Sequence, residues 1–193
     1  MAGTKRVGVL ALQGDFEAHK KALARAGGEA VEVRTAEQLN GVDALILPGG
    51  ESTTMLKLLE EECLFEPLRR FGQARPIFGT CAGAILLAAE VLNPAQKSLG
   101  LVDITVERNA YGRQLDSRIV RLCWDKSQDG ADGDFEAVFI RAPIIRKTGP
   151  NVREITYYCD TPVLVAEGRH LVATFHPELT ADTRIHRLFL QRI

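Results

Sequence analysis

A cysteine lies at a predicted corner between a strand and a helix. The stretch FGTCAGAILLAAE begins at Phe78 and follows the run RPI, so Cys81 stands between Gly79 and Gly83. This spacing is the nucleophile-elbow pattern G-x-S-x-G with cysteine in place of serine. The glycines make room for a tight turn, and a helix that starts after Cys81 favours a thiolate. The alternative is a buried cysteine in a close helix–strand contact, with the glycines serving packing alone.

A second stretch, HLVATFHPE, offers a base for that cysteine. His176 ends a strand-like run and is followed by Pro177 and Glu178. In an open α/β sheet such a strand end lies at the carboxyl edge, where ligands bind. His176 would accept the proton of Cys81 and later protonate the leaving group, while Glu178 would orient its ring. Taken alone, His-Pro-Glu also fits a turn that ends a strand.

A pair of glycines follows a third apolar run, DALIL. The loop that continues from it is Pro48-Gly49-Gly50-Glu51-Ser52. The N–H of Gly50, with the N–H of Ala82 after the cysteine, would bind the oxyanion of a tetrahedral intermediate. Taken alone, P-G-G favours a type II turn followed by a helix cap.

The elements around these motifs alternate in the first half of the chain. RVGVLAL, AVEVR, DALILPGG and RPIFGTC are strand-like, and DFEAHKKALARAGG and STTMLKLLEEECLFEPLRRFG between them have helical patterns. This alternation is typical of βαβ units around a parallel sheet. Gln13, at the end of the first strand, is a candidate pocket or interface residue. His19 falls in the first helix, where a surface or packing role is expected.

The second half is predicted to contain mainly strands. Six strand-like runs follow one another from Leu101, and the last of them opens at His170; a short amphipathic helix with His186 closes the chain. Some of these strands form an antiparallel extension and others return to the main sheet. We therefore predict an open three-layer α/β fold, with a largely parallel sheet, helices on both faces and an antiparallel extension. Residues 1–193 are expected to form a single domain.

Composition excludes several classes of function. The chain has 46% hydrophobic and 25% charged residues and a formal net charge of -1, so nothing favours nucleic acid or an anionic membrane as partner. No apolar run approaches a membrane span of about 18 residues, and a cytoplasmic location is expected. The four cysteines are widely spread, without a zinc-type cluster.

One stretch is similar to a calcium loop. DKSQDGADGDFE, from Asp125 to Glu136, has nearly EF-hand spacing. An EF-hand needs a helix on each side, whereas strand-like runs flank this stretch. A solvated hairpin loop is the better prediction, and no metal or other cofactor is expected.

Together the motifs resemble the class I, triad-type glutamine amidotransferases, and among them the glutaminase subunits of pyridoxal 5'-phosphate synthases. The matching segments are GVLALQGDFEAH, LILPGGESTTM, FGTCAG, ERNAYGRQLDS, FIRAP and FHPELT. The resemblance implies a single glutamine amidotransferase domain that hydrolyses L-glutamine to glutamate and ammonia through a γ-glutamyl thioester. It implies Cys81 as nucleophile, His176 as base and Glu178 as the residue that orients it. The glutamine pocket implied by the resemblance consists of Gly49, Gly50, Glu51, Ser52, Arg108, Ile140 and Arg141.

The resemblance also implies a partner. A (β/α)8-barrel synthase subunit would take the ammonia through an internal path for vitamin B6 synthesis, and its docking would order the oxyanion loop. Two rival interpretations of the residues are a peptidase-like or other reactive-cysteine protein of α/β fold, and a binding subunit without turnover. The first leaves HPE and PGGES unexplained, and the intact Cys81, His176 and Glu178 speak against the second.

Overall fold

A computed structural model describes residues 5–109, 117–124 and 133–193. Its helices are α1 (Phe16–Ala26), α2 (Ser52–Glu61), α3 (Phe65–Ala74), α4 (Ala82–Leu87) and α5 (Arg184–Leu190), with short 3-10 helices at Glu37–Gly41 and Pro177–Leu179. Its strands are β1 (Arg6–Leu10), β2 (Glu29–Val33), β3 (Ala44–Leu47), β4 (Ile77–Thr80), β5 (Ala88–Leu92), β6 (Val102–Glu107), β7 (Ser117–Leu122), β8 (Phe135–Ile140), β9 (Ile144–Thr148), β10 (Arg153–Tyr158), β11 (Thr161–Glu167) and β12 (His170–Ala173).

The central sheet has seven strands in the order β10-β11-β12-β4-β3-β1-β2. Strands β12, β4, β3, β1 and β2 run parallel, and β11 and β10 are added antiparallel at one edge. The carboxyl ends of β4 and β12 are therefore neighbours, with Thr80 paired with Ala173. This adjacency brings the residues that follow the two strands, Cys81 and His176, to the same edge of the sheet.

Two apolar cores cover the two faces of this sheet. On one face α2, α3 and α4 pack together with the small sheet β5-β6-β9. On the other face α1 and α5 pack together with the hairpin β7-β8. Alternate residues of β3 enter different cores, since Leu45 and Leu47 join the first and Ala44 and Ile46 the second. The predicted three-layer architecture with a largely parallel sheet is confirmed.

Two local predictions were wrong. The helical pattern after Ser52 is divided into α2 and α3, because Cys63 adopts a φ of 54° that stops the first helix. The stretch AGAILLAAE fits the first turns of the helix predicted after Cys81, but that helix ends at Leu87, and the next residues form β5, which pairs with β6. A short run of alanine and leucine does not distinguish a buried helix from a buried strand.

The second half contains the expected mixture of strands. All six predicted runs hold a strand, and β9 lies at a run that the sequence pattern did not single out. The calcium-like stretch falls mainly on residues 125–132, which lie outside the described residues; the strands on either side of it, β7 and β8, pair antiparallel. Among the described residues the longest helix, α1, has 11 residues, too short for a membrane span of about 20 residues.

Candidate active site

Cys81 occupies a strained turn between β4 and α4. Its φ of 48° and ψ of -101° belong to a region that a residue with a side chain rarely adopts. The backbone N–H of Cys81 donates to the carbonyl of Ala173, 2.9 Å away, which ties the turn to the end of β12. The cysteine is 6% exposed. The surrounding structure thus holds the thiol in one place at the cost of local strain.

Close packing explains the two glycines of the elbow. A Cβ atom on Gly83 would lie 2.1 Å from the carbonyl oxygen of Leu47, and one on Gly79 would lie 2.6 Å from the backbone of Gly83. Both distances are too short for any side chain. The glycines therefore allow α4 to sit directly against β3 and β4 with Cys81 at its start.

His176 and Glu178 lie beside this turn and are buried. The N–H of His176 donates to the carbonyl of Val138, 2.8 Å away, so β8 fixes the backbone after β12. The 3-10 turn Pro177–Leu179 then directs Glu178 back towards the histidine. As a result His176 Nδ1 lies 2.7 Å from Glu178 Oε1, a hydrogen-bond distance.

The electrostatics of this pair favour a charged imidazole. Burial lowers the pKa of His176, but a hydrogen bond with Cys81 and one with Glu178 outweigh it and raise the pKa to about 10. For Glu178, burial is the largest influence and raises the pKa of the carboxyl, while the contact with His176 opposes this effect. The histidine thus stands between an acid that orients it and a sulfur whose proton it can hold.

The glycine loop packs against the same histidine. A Cβ atom on Gly49 would lie 2.3 Å from His176 Cε1, so the imidazole occupies the space that a side chain would need. The carbonyl of Gly49 accepts from the N–H of Asp15, 3.1 Å away. The N–H of Glu51 donates to Gln13 Oε1, 3.1 Å away. The end of β1 therefore holds the loop from the other side.

Glu51 caps helix α2. Its carboxylate accepts from the backbone N–H groups of Thr53 and Thr54, at 3.0 and 2.7 Å. Burial raises the pKa of Glu51, but these hydrogen bonds prevail and lower it to about 2. Arg108 Nη2 lies 3.5 Å from the same carboxylate and donates to Thr53 Oγ1 at 2.8 Å. The carboxylate already has partners within the protein and holds an arginine at the rim of the site.

A cavity of about 290 Å³ opens in front of Cys81. Most of the predicted pocket residues line it. Gly49, which packs against His176, and Ala82, the first residue of α4, are not among the lining residues. The carbonyl of Ile140 lies 3.8 Å from Cys81 Sγ, and Arg141 has a φ of 43°. The residues that line the cavity are Gln13, Asp15, Gly50, Glu51, Ser52, Cys81, Ile85, Arg108, Asn109, Ile140, Arg141, Pro143 and His176.

Sequence reasoning missed four of these residues: Asp15, Ile85, Asn109 and Pro143. Asp15 is the most relevant to the chemistry, because its Oδ2 lies 3.7 Å from His176 Nδ1. Asp15 follows the end of β1, and β1 pairs in parallel with β3. Both strands therefore end at the carboxyl edge of the sheet, where ligands bind, and this position could have indicated Asp15. Ile85 lies one turn of α4 after Cys81, so helical periodicity also pointed to it.

The ligand-type atoms of Asp15, His176 and Glu178 lie within 4.8 Å of one another. The contact between His176 Nδ1 and Glu178 Oε1 is a hydrogen bond, an arrangement that suits acid–base chemistry.

Comparison with known proteins gives one consistent result. Residues 9–193 match the SNO glutamine amidotransferase family. Two curated relatives are both described as pyridoxal 5'-phosphate synthase subunit PdxT. The one from Solibacter usitatus is 62% identical over 98% of this chain and 100% of the relative, and the one from Koribacter versatilis is 54% identical over 97% and 95%. A crystal structure described as a glutamine amidotransferase superposes with a TM-score of 0.88 at 49% identity, covering 96% of this chain and 97% of that one.

Proposed function

The chain belongs to the SNO glutamine amidotransferase family, and we infer that it is the glutaminase subunit of a pyridoxal 5'-phosphate synthase. It supplies ammonia for vitamin B6 biosynthesis. The observation that carries this inference is the arrangement of Cys81, His176 and Glu178 beside one cavity, in a chain 62% identical to a PdxT subunit. We propose that residues 1–193 form one amidotransferase domain and that L-glutamine is the substrate.

The reaction we propose begins at the sulfur of Cys81. The thiolate attacks the side-chain amide carbon of glutamine, forming a carbon–sulfur bond and a tetrahedral oxyanion. The N–H groups of Ala82 and Gly50 stabilise the oxyanion. The imidazolium of His176 gives its proton to the amide nitrogen, ammonia leaves, and a γ-glutamyl thioester remains.

Water then hydrolyses the thioester. His176, now neutral, takes a proton from the water, which attacks the thioester carbon, and the collapse releases glutamate and the Cys81 thiolate. Glu178 keeps Nδ1 of the imidazole protonated throughout, so Nε2 remains the nitrogen that exchanges protons with Cys81 and the leaving group. The imidazolium is the resting form, in line with a pKa of about 10 for His176.

The walls of the cavity suit the two ends of glutamine. We propose that Arg108 and Arg141 supply positive charge for the α-carboxylate, and that Ser52 and the carbonyl of Ile140 contact its polar groups. Gly49, Gly50 and Glu51 shape the wall through their backbone. Because Thr53, Thr54 and Arg108 already occupy the Glu51 carboxylate, that side chain acts by holding Arg108 in place.

The partner we propose is a (β/α)8-barrel synthase subunit that receives the ammonia. Ammonia released into water near neutral pH becomes protonated and loses its nucleophilicity, so delivery within a complex preserves it. Docking would act on the glycine loop, which two hydrogen bonds with the Gln13–Asp15 segment hold in its present form. All four cysteines are free thiols, which suits the cytoplasmic location we propose.

The test is glutamate production from glutamine by the purified chain, alone and with a synthase subunit of a pyridoxal 5'-phosphate synthase. We expect activity that rises with the partner and disappears in Cys81→Ala. Cys63→Ala is the matched control, because Cys63 is an exposed cysteine between α2 and α3, and we expect it to retain full activity. A folded complex that produces no glutamate would refute the proposal.

A further inference from the structure

Two buried histidines lie directly behind the catalytic pair. His19 on α1 and His186 on α5 are both fully buried, and His19 Nδ1 lies 3.1 Å from His186 Nε2. The other ring nitrogen of His19, Nε2, lies 3.4 Å from Glu178 Oε2 and 3.0 Å from Thr80 Oγ1. A continuous row of polar side chains therefore runs from α5 through α1 to Glu178.

The far oxygen of Glu178 needs a donor. Oε1 receives the hydrogen bond from His176, but among the described residues Oε2 is buried without a hydrogen-bond partner. A buried carboxylate oxygen without a donor carries a large desolvation cost. His19 Nε2 is placed to supply that donor after a shift of a few tenths of an ångström.

We propose that His19 is a positioning residue that donates its Nε2–H to Glu178 Oε2, and that His186 fixes the tautomer of His19 in which this proton is present. The role rests on the proposed function, since it serves the same Glu178. His19 does not line the cavity, so it is not a catalytic residue; its contacts towards the site are Glu178 Oε2 and Thr80 Oγ1.

The hydrogen-bond count favours this tautomer. If His186 carries its proton on Nε2, it donates to His19 Nδ1, and His19 must then carry its own proton on Nε2, facing Thr80 and Glu178. In this arrangement His186 Nδ1, which has no partner among the described residues, is a lone pair. The opposite arrangement would leave a buried N–H of His186 unpaired and would turn a lone pair of His19 towards the carboxylate.

Both histidines are held neutral. Burial is the main reason that the pKa of His19 lies well below its usual value, and His186 and His176 lower it further. Burial, with a smaller influence of Arg25, lowers the pKa of His186 to about 4. Asp15 is the other charged group that acts on Glu178, and it raises the pKa of the carboxyl. A neutral donor stabilises the carboxylate without competing with His176 for its charge.

The experiment compares three variants in the complex with the synthase subunit. His19→Leu fills the site with an apolar side chain and removes the donor, and His19→Gln restores an N–H. His170→Leu is the matched control, because His170 is also a buried histidine, whose Nδ1 accepts from the Ile77 N–H at the opposite end of β12. Melting temperatures establish that all three variants fold.

We expect kcat for glutamine hydrolysis to fall about ten-fold in His19→Leu, with KM changed by less than about two-fold, the lower end of the effect known for residues that orient metal-ligating side chains. His19→Gln restores kcat to within about three-fold of the unmodified protein. The acid limb of the pH–rate profile of His19→Leu moves to higher pH, because the carboxyl of Glu178 protonates more easily without a donor. His170→Leu leaves kcat and the profile unchanged.

Alkylation of Cys81 by iodoacetamide in the isolated chain, followed on its own peptide by mass spectrometry, separates this inference from the proposed function. It needs neither glutamine nor a partner, and we expect slower alkylation in His19→Leu than in His170→Leu. If no variant forms glutamate but this difference appears, the glutaminase assignment fails and the positioning role stands. If the unmodified protein forms glutamate and His19→Leu matches His170→Leu in both assays, the positioning role is overturned.

Discussion

The two ends of β12 each carry a buried histidine, yet their surroundings act on protonation in opposite directions. At the amino end, burial and the nearby Arg169 lower the pKa of His170 to about 4, and its Nδ1 accepts from the Ile77 N–H. At the carboxyl end, the contacts with Cys81 and Glu178 overcome burial and raise the pKa of His176 to about 10. Burial alone therefore does not set the charge of a histidine; the partners of its ring nitrogens decide it.

The difference agrees with the architecture of the sheet. Ligands of open α/β sheets bind at the carboxyl ends of parallel strands, and the polar groups of this protein that suit acid–base chemistry lie there. The amino end uses its histidine to satisfy a backbone group. The same residue type thus supports structure at one end and the proposed chemistry at the other.

We expect the largest effect for Glu178→Gln, which tests the contrast between the two ends of β12. The amide keeps the size of the side chain but no longer enforces the protonated Nδ1 of His176, so we expect kcat to fall on the order of ten-thousand-fold, as for the matching change in a serine protease. Glu167→Gln is the control, because Glu167 ends β11 beside His170 and accepts from the backbone N–H of Asp103. Glutamate release by the complex is the measurement, and equal rates for the two variants would remove the distinction between the ends.

A smaller effect is expected for Gly49→Ala. The new Cβ atom would stand 2.3 Å from His176 Cε1 and force the ring to move, and a displacement of this kind costs on the order of a hundred-fold in kcat. Gly41→Ala, at the amino side of β3, would place its Cβ atom 3.5 Å from Arg6, an ordinary contact. We expect this control to keep its activity. Full activity of Gly49→Ala would mean that the His176 ring can move without loss of catalysis, against the prediction.

The smallest change is a titration that leaves the protein intact. In ¹⁵N NMR spectra we expect His170 to remain neutral down to about pH 4 and His176 to remain charged up to about pH 10. The free energy of unfolding that His176 contributes is then fully present below pH 6.5, the ordinary pKa of histidine, and is lost as the pH rises through 10. The contribution of His170 is present above pH 6.5 and is lost as the pH falls towards 4. Spectra of His176→Gln and His170→Leu assign the signals. A pKa near 6.5 for both His170 and His176 would contradict the comparison.

From the sequence, the architecture and the residues Cys81, His176 and Glu178 could be predicted better than the elements and side chains around them. The G-x-C-x-G turn and the His-Pro-Glu stretch each follow a predicted strand, and parallel pairing of β4 with β12 brings them together. Local patterns carry this information because each motif is short and each strand is strongly apolar. The end of α4 at Leu87 could not be predicted, since its boundary depends on pairing between β5 and β6.

His19 and His186 show a different limit. They contact each other across 167 positions of sequence, and no local pattern specifies such a pair. Their burial could have been anticipated, because His19 shares a helical face with Ala22 and Leu23, and His186 lies between the buried Ile185 and Leu188. That the two rings meet behind Glu178 depends on the packing of α1 against α5 on one face of the sheet.

The backbone conformation of Cys81 has a consequence for protein engineering. A non-glycine residue at a φ of 48° carries a penalty of about 1–3 kcal/mol, which the rest of the fold must offset. Glycine at this position would relieve the penalty and remove the proposed nucleophile in the same step. A selection for heat resistance alone would therefore tend to eliminate the residue on which the proposed catalysis depends, so stabilising mutations should be sought away from this turn.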